Sequence, residues 1–467
     1  MWESEKARLE TAFLAEIGST LGQACQALDA AKGPSDATRT KQTVRAAADQ
    51  LDRMRALGRP IRVTVLGGGM FVNDVVLPSL YHLQRTGTVD TIAIIALEQR
   101  MLDALRENRD LVEAFPGQTF DGICPPANLP DPERSSYYKK VLEAMPPRQL
   151  VAVVLPDPLH YEAIMHALHC NQHVLSVKPL VLTSAESEEI AAAAYAKGLF
   201  VGVEYHKRFD TRSLMAKRHY QLGHFGQFVM GEAKLIEPRL YRDSNFQNWF
   251  TCERTDPFTY VSCHYFDLVW FITGLKAVEV SLAGIKGRFP NGKVGYMWSN
   301  GRIVYENGAM LSVTSGLGYP DDGSGSNEQG LEMFFEGPHK TGLIKHDDQY
   351  RGVIHSYLEG IGPGGTHHNF VSPDFFQLVP WEGKGFRPEG YGYKSVSSIV
   401  QTAQFIEAAS CGLPDDQGLA ARQALLKQVD QLGLLATPRN SVENELIIEA
   451  GRKSICDGGR PVRIRGR

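Results

Sequence analysis

Ile61-Arg62-Val63-Thr64-Val65-Leu66-Gly67-Gly68-Gly69-Met70-Phe71-Val72 runs from a short β-branched segment through three glycines into a helical pattern. It matches G-x-G-x-x-G at the first two required glycines, Gly67 and Gly69, with Val72 in the third place. The first glycine permits a tight turn, the second lets the backbone approach a pyrophosphate, and the following helix N-terminus offers N–H groups to that anion. Three glycines after a strand are by themselves equally a simple turn. Their place after the first strand of an alternating run favours the dinucleotide reading, with Gly68, Met70 and Phe71 completing the cofactor-facing turn.

That alternation continues outward. Met70–Leu83 has a helical pattern, and Thr91–Ala96 reads as a second strand. Further strands are expected at Leu150–Leu155, His173–Val177 and Leu199–Val203, with helices at Tyr161–Cys170 and Ser184–Lys197. Strands alternating with helices of this length imply βαβ units and a parallel sheet. Glu98 is the nearest acidic residue for ribose hydroxyls, although Leu97 separates it from the strand, so the cofactor is NAD or NADP with a lean to NAD.

From about Phe209 the texture changes. Gly301–Tyr305, Ala309–Val313 and Leu331–Phe335 read as antiparallel strands, Gly318–Gly330 as a surface loop and Lys394–Ser410 as a helix. At the other end, Leu9, Phe13, Ile17, Leu21 and Cys25 recur every four residues on a predicted helix, and a second helix is expected over Asp36–Leu57. The expected division is a helical extension over 1–58, a dinucleotide-binding domain over 59–208, a substrate-binding α/β domain over 209–412, and a helical extension over 413–467. The N-terminal stripe must be covered, and a homodimer or homotetramer is expected.

Composition bounds the partners. Charged residues make up 22% and the formal net charge is −4, so electrostatics give no case for nucleic acid or an anionic membrane. No apolar run approaches the ~18–20 residues that a membrane helix needs. The seven cysteines are scattered without a C-x-x-C pair, and the segment from Met1 to Lys6 lacks a secretory pattern, so a cytoplasmic protein with reduced thiols is expected. His367 and His368 stand side by side, but without a matching carboxylate or cysteine spacing no metal is expected.

Two segments close strands where open α/β sheets bind ligands: Pro156-Asp157-Pro158-Leu159-His160, and Ser176-Val177-Lys178-Pro179-Leu180. A lysine after a strand is ordinarily a solvated end. The proline after Lys178 fixes a turn that would aim it into the crevice.

Together with Tyr205-His206-Lys207-Arg208-Phe209-Asp210 and Cys263-His264-Tyr265-Phe266-Asp267, these segments give the chain a resemblance to the glucose–fructose oxidoreductase/inositol dehydrogenase (Gfo/Idh/MocA) family over about residues 60–412. The resemblance implies a Rossmann domain, a second α+β domain with a large, mostly antiparallel sheet, and a carbohydrate or polyol substrate between them. It implies oxidation or reduction of a secondary hydroxyl on a sugar, glycoside or cyclitol. Lys178 corresponds to the lysine of the family's E-K-P motif, with Val177 in place of the glutamate, and His264 to its catalytic histidine. Where the family often has aspartate four residues before that histidine, this chain has Tyr260, which carries no negative charge at neutral pH.

In this reading Lys178 and His264 are the catalytic pair. Histidine suits proton transfer at neutral pH, and a lysine can stabilise charge on the reacting oxygen. Tyr260, Asp267, Tyr205 and Arg208 are candidate substrate contacts. Asp267 is equally a structural hydrogen-bonding partner, and His160 either meets the cofactor or caps its helix. Two other functions fit the same residues: a redox-neutral NAD-dependent glycosidase or lyase, and a non-catalytic cofactor-binding regulator.

Overall fold

The computed structural model describes residues 59–322, 327–338, 340–347, 354–358, 366–370, 374–381, 383–464 and 466. The apolar stripe from Leu9 to Cys25 lies outside the described residues.

Ile61–Leu66 forms β1, followed by β2 (Val89–Ile95), β3 (Asp121–Ile123), β4 (Leu150–Val153), β5 (His173–Val177) and β6 (Val201–Glu204). These six strands build one sheet in the order β3-β2-β1-β4-β5-β6, parallel throughout. All residues of β4, β5 and β6 are buried, as expected for a sheet covered on both faces by its crossover helices. The order reverses between β1 and β4, so the crevice above their C-terminal ends is the place where such sheets take ligands. The crossover helix Ser184–Lys197 is delimited by local chemistry. Thr183 and Glu186 form a reciprocal capping box, and Gly198 ends the helix in the left-handed region at φ 64°.

The second sheet begins with β7 (Gln227–Pro238) and continues with β8 (Ala277–Arg288), β9 (Val294–Tyr305), β10 (Met310–Tyr319), β11 (Glu328–Gly337) and β12 (Lys340–Asp347). Two short hairpins follow, β13 (Ile354–Leu358) with β14 (Thr366–Phe370), and β15 (Gln377–Pro380) with β16 (Phe386–Glu389). The last strand, β17 (Val462–Arg463), closes the large sheet in the order β12-β11-β7-β10-β9-β8-β17. Only β7 and β10 pair in parallel; the other neighbours are antiparallel. The loop expected over Gly318–Gly330 is shorter than its composition implied, because β10 runs through Tyr319 and β11 starts at Glu328. β3, β7, β8 and β12 to β17 had no expectation.

Two C-terminal features join the domains. The helix Tyr391–Ser410, within the stretch assigned to the second domain, lies instead against β5 and β6 of the first sheet. The helix Pro438–Cys456 packs on both β8 and the helix Ser184–Lys197, while β17 pairs with β8. The segment after 412 is therefore built into both domains.

The β15–β16 hairpin is tied to the first domain through Arg85. Its guanidinium donates to the Phe386 carbonyl (2.6 Å), lies 4.0 Å from the Trp381 ring centroid, and approaches Nδ1 of the buried His82 at 2.8 Å. A cation donating to Nδ1 requires its lone pair. Burial first, then Arg85 and Arg387, push the His82 pKa down to about 4. The unfolded histidine binds a proton below about 6.5, which the folded one refuses until about pH 4. We expect stability to fall between those values, with about 1–3 kcal/mol due to His82. Urea unfolding at pH 7, 5.5 and 4.5 should give His82→Gln a flatter decline than wild type; parallel declines would refute the assignment.

Candidate active site

The glycine turn has two glycines with different duties. Gly67 sits at φ 108°, and a Cβ there would lie 2.2 Å from the Val154 carbonyl oxygen of the neighbouring strand end. A Cβ on Gly69 would meet nothing within 4 Å, so its openness serves the crevice. A cavity of about 500 Å³ opens beside it, lined by Gly68, Gly69, Met70, Asn73, Asp74 and Arg100 among others. The glycine backbone and this volume fit a dinucleotide. Asp74 is the one acid on that wall, and burial raises its pKa. Phe71, half-buried, precedes a single π-turn, Val72–Val76, before the regular helix Leu77–Arg85. Glu98 lies at the start of the helix Gln99–Arg106, exposed, with its carboxylate bound by the Arg100 guanidinium, which lowers its pKa. Arg100, which sequence reasoning did not single out, stands on the cavity wall beside it.

Pro156, Asp157 and His160 occupy the switch point, but the two polar side chains are engaged by protein. The buried Asp157 accepts from the Trp249 indole (3.1 Å) and the Thr255 hydroxyl (2.5 Å), which come from the second domain. His160 places Nδ1 2.8 Å from the Pro179 carbonyl and Nε2 2.7 Å from the Leu155 carbonyl, clamping the ends of β4 and β5. Both residues shape the crevice by holding its walls.

Lys178 leaves the end of β5. Its ammonium donates to the Tyr260 carbonyl (2.6 Å) and lies 4.1 Å from the Tyr260 ring centroid. Tyr260 is wedged against Phe246, Trp249 and Phe250, and burial together with Asp157 and Glu237 raises its hydroxyl pKa. His264 opens the helix Cys263–Thr273 and is buried, with Nδ1 lacking any hydrogen-bond partner. Its ring centroid is 4.4 Å from His206 and 6.3 Å from Tyr205. Burial first, then the charges of His206, Lys178 and Lys207, hold its pKa well below the ordinary histidine value. A neutral imidazole with a free buried nitrogen beside a lysine is a proton acceptor waiting for a donor.

Arg208 and Asp267 turn away from this point. The Arg208 guanidinium grips Asp267 with two hydrogen bonds of 2.8 and 2.5 Å, and both side chains are fully buried. Asn444 donates a third bond to Asp267 (2.7 Å). The Asp267 carboxylate and the Arg208 guanidinium are thus engaged with each other and not with His264. The Tyr205 hydroxyl is buried without a partner, edge-on to the His264 ring.

Four further residues complete the floor. The fully buried Glu204 holds His206 Nδ1 at 2.9 Å, and Lys207 donates to Gln329 (3.1 Å) on β11. Glu237, at the inward end of β7, is the fourth. Only the neighbouring Tyr-His-Lys-Arg segment gave a sequence signal; Glu237 and Gln329 come from strands with no local motif. Among the described residues no group of histidine, cysteine and carboxylate side chains has the placement of a metal site, and no helix is long and apolar enough to cross a membrane.

A six-stranded parallel sheet with a glycine turn at its switch point, followed by a domain with an open mixed sheet and a helix that carries His264, defines a two-domain dinucleotide-binding protein. Residues 61–205 match the family described as the Gfo/Idh/MocA oxidoreductase family with an NAD-binding Rossmann fold. That match covers the parallel-sheet domain of the chain. It is 35% identical over 100 residues to an uncharacterised oxidoreductase of Schizosaccharomyces pombe, covering 21% of this chain and 27% of that protein. It is 24% identical over 225 residues to the D-glucoside 3-dehydrogenase of Escherichia coli, covering 47% of this chain and 56% of the relative. These alignments span about a quarter to half of the relatives' lengths. The fold is similar to that of an inositol dehydrogenase homolog from Azotobacter vinelandii complexed with NADH and myo-inositol, with a TM-score of 0.58, 17% identity, and coverage of 87% and 98% of the two chains.

The two glycines should separate experimentally. Gly69→Val should leave the melting temperature within a few degrees of wild type and abolish NAD(P) binding by calorimetry, because only a phosphate contests that space. Gly67→Ala should lower stability by about 2 kcal/mol or more, since it combines a left-handed φ with a backbone clash. Unchanged cofactor affinity in a folded Gly69→Val protein would remove the turn from the cofactor site.

Proposed function

We propose that this protein is an NAD(P)-dependent dehydrogenase that moves a hydride between nicotinamide and a secondary hydroxyl of a cyclitol, sugar or glycoside. The observation that supports this reading is that Lys178, from the first domain, donates to the Tyr260 carbonyl four residues before His264 of the second, where its charge helps depress the histidine pKa. The nicotinamide, when bound, accepts or returns the hydride. His264 takes the carbinol proton on its free Nδ1, and its depressed pKa keeps it ready as a base throughout the neutral range. Lys178 retains two ammonium protons beyond the one donated to Tyr260, and these can hold the reacting oxygen as negative charge develops. Polyol chemistry is supported by the inositol dehydrogenase fold likeness, and glycoside chemistry by the alignment with the D-glucoside 3-dehydrogenase.

His264→Ala should reduce turnover by roughly 10²–10⁴-fold with little change in cofactor affinity. Lys178→Ala should produce a comparable loss, and the double variant much less than the product of the two. The measurement is NAD(P)H absorbance with a panel of inositols, glucose and methyl glucosides. Near-wild-type turnover in folded His264→Ala would move the proton acceptor to Tyr260 or Tyr265. NADH that fails to accumulate in proportion to product would establish the redox-neutral chemistry instead.

Cofactor choice rests on neighbours with opposite charge. Glu98 suits the ribose hydroxyls of NAD, whereas Arg100 on the cavity wall suits a 2′-phosphate. Arg100 occupies one face of Glu98 and leaves the other carboxylate oxygen for a hydroxyl, so we favour NAD. Glu98→Ala should weaken NAD more than NADP, and Arg100→Ala the reverse. Titrations in which Glu98→Ala affects both equally would exclude Glu98 from the ribose site.

A further inference from the structure

Strand β7 alternates as far as Leu235, after which Ile236 and Glu237 are half-buried and Pro238 is buried. Ala233 and Leu235 are buried on the inward face, and Glu237 follows two residues later on that same face. Leu235 lies opposite Gln329 of β11, so Gln329 faces inward, and Asn327, just before that strand, is hydrogen-bonded to Glu237. Gln329 accepts from Lys207 (3.1 Å) and lies 3.4 Å from the Tyr265 hydroxyl, which puts this end of the sheet against the helix that carries His264.

Glu237 is half-buried as a residue, but its carboxyl is enclosed by neighbouring atoms. It is hydrogen-bonded to Asn327 and faces the charges of Lys178 and Lys207, while burial raises its pKa. Tyr241 and Tyr260 feel its charge from the other side. Among the described residues no direct ion pair joins Glu237 to Lys178, whose ammonium instead donates to the Tyr260 carbonyl. The Glu237 carboxyl and the Lys178 ammonium therefore act on each other across the cleft floor without a direct ion pair. A hydroxyl group is both donor and acceptor, and so can join a carboxylate to an ammonium.

We infer that Glu237 is a substrate-specificity residue: it accepts a hydrogen bond from a hydroxyl vicinal to the reacting carbinol, and that hydroxyl in turn accepts from Lys178. The substrate class is thus a vicinal diol, bound through two neighbouring oxygens that share the Lys178 ammonium, with the carbinol proton directed at His264. This deepens the dehydrogenase reading and rests on its placement of substrate in the cleft. A charged acceptor suits the role because a charge-assisted bond in a dry site discriminates strongly against a missing hydroxyl.

The test uses myo-inositol and methyl β-D-glucopyranoside, with the monodeoxy analogues of each, titrated by calorimetry into the NADH-loaded full-length protein. Glu237→Gln keeps the shape of the side chain and removes its charge; Glu237→Ala is the second variant. We expect Glu237→Gln to weaken binding of the parent polyol by about 10–100-fold, and to leave affinity for one monodeoxy analogue, and for NADH, unchanged. Wild-type protein should already bind that analogue about as weakly as Glu237→Gln binds the parent. Equal weakening of the parent and of every deoxy analogue would mean a structural role and overturn the inference, as would unchanged polyol affinity in both variants. Wild-type protein that binds neither polyol also overturns it. Polyol binding that depends on Glu237 without any NAD(P) reduction would overturn the dehydrogenase reading and leave Glu237 standing; normal turnover indifferent to Glu237 would do the reverse.

Discussion

The ion pair between Arg208 and Asp267 sets the geometry of the crevice. Arg208 lies in the connection that leaves the parallel sheet, and Asp267 lies on the helix that begins with His264. Their two hydrogen bonds fix that helix about its axis. Residues three apart share a side of a helix, so holding Asp267 also determines where the His264 ring can point. The helix Pro438–Cys456 closes the network, with Asn444 donating to Asp267 and Asn440 accepting from Arg208 at 3.1 Å. Both charges have given up water, so each depends on the other; removing one partner of such a pair costs about 3–5 kcal/mol. A second buried carboxylate, Asp157, fixes the facing wall through Trp249 and Thr255.

Between these two anchors the crevice is a place where charge is expensive. Burial pushes His264 toward its neutral form, and does the same for the Tyr260 hydroxyl and the carboxyls of Asp157 and Glu237. The Lys178 ammonium is received there by a carbonyl and an aromatic face. The outcome is a floor that combines a neutral base, a fixed cation and a facing acid. Such an arrangement suits movement of a proton at a substrate oxygen, because little reorganisation is needed when charge develops.

The linear order of the chain conceals how the two domains are joined. The helix Tyr391–Ser410 returns from the second sheet to lie against β5 and β6, and β17 extends the second sheet from the far end of the described chain. Long-range packing of this kind makes the inter-domain geometry a property of the whole fold. It explains why residues from β5, β7, β11 and the helix Cys263–Thr273 can meet within one crevice.

The alternating α/β texture, the glycine turn and the candidacy of Lys178 and His264 were all legible in the sequence. The first three are written in local spacing: short β-branched strands, helices between them, a glycine turn after the first strand, a lysine followed by proline at a strand end; His264 rested on the resemblance to the family's motif. Other assignments needed the folded chain. Asp157 meets Thr255 across 98 residues and Arg208 meets Asp267 across 59, so the partners that make these charges structural have no local trace. Glu237 was invisible for the same reason, since a glutamate ending a strand reads as a solvated residue until the opposing Asn327, Lys178 and Lys207 are in place. Periodicity reports which face of an element is apolar. Whether a polar side chain on that face binds protein or remains free for a ligand depends on desolvation and on partners far away in the chain, and only the tertiary structure decided that.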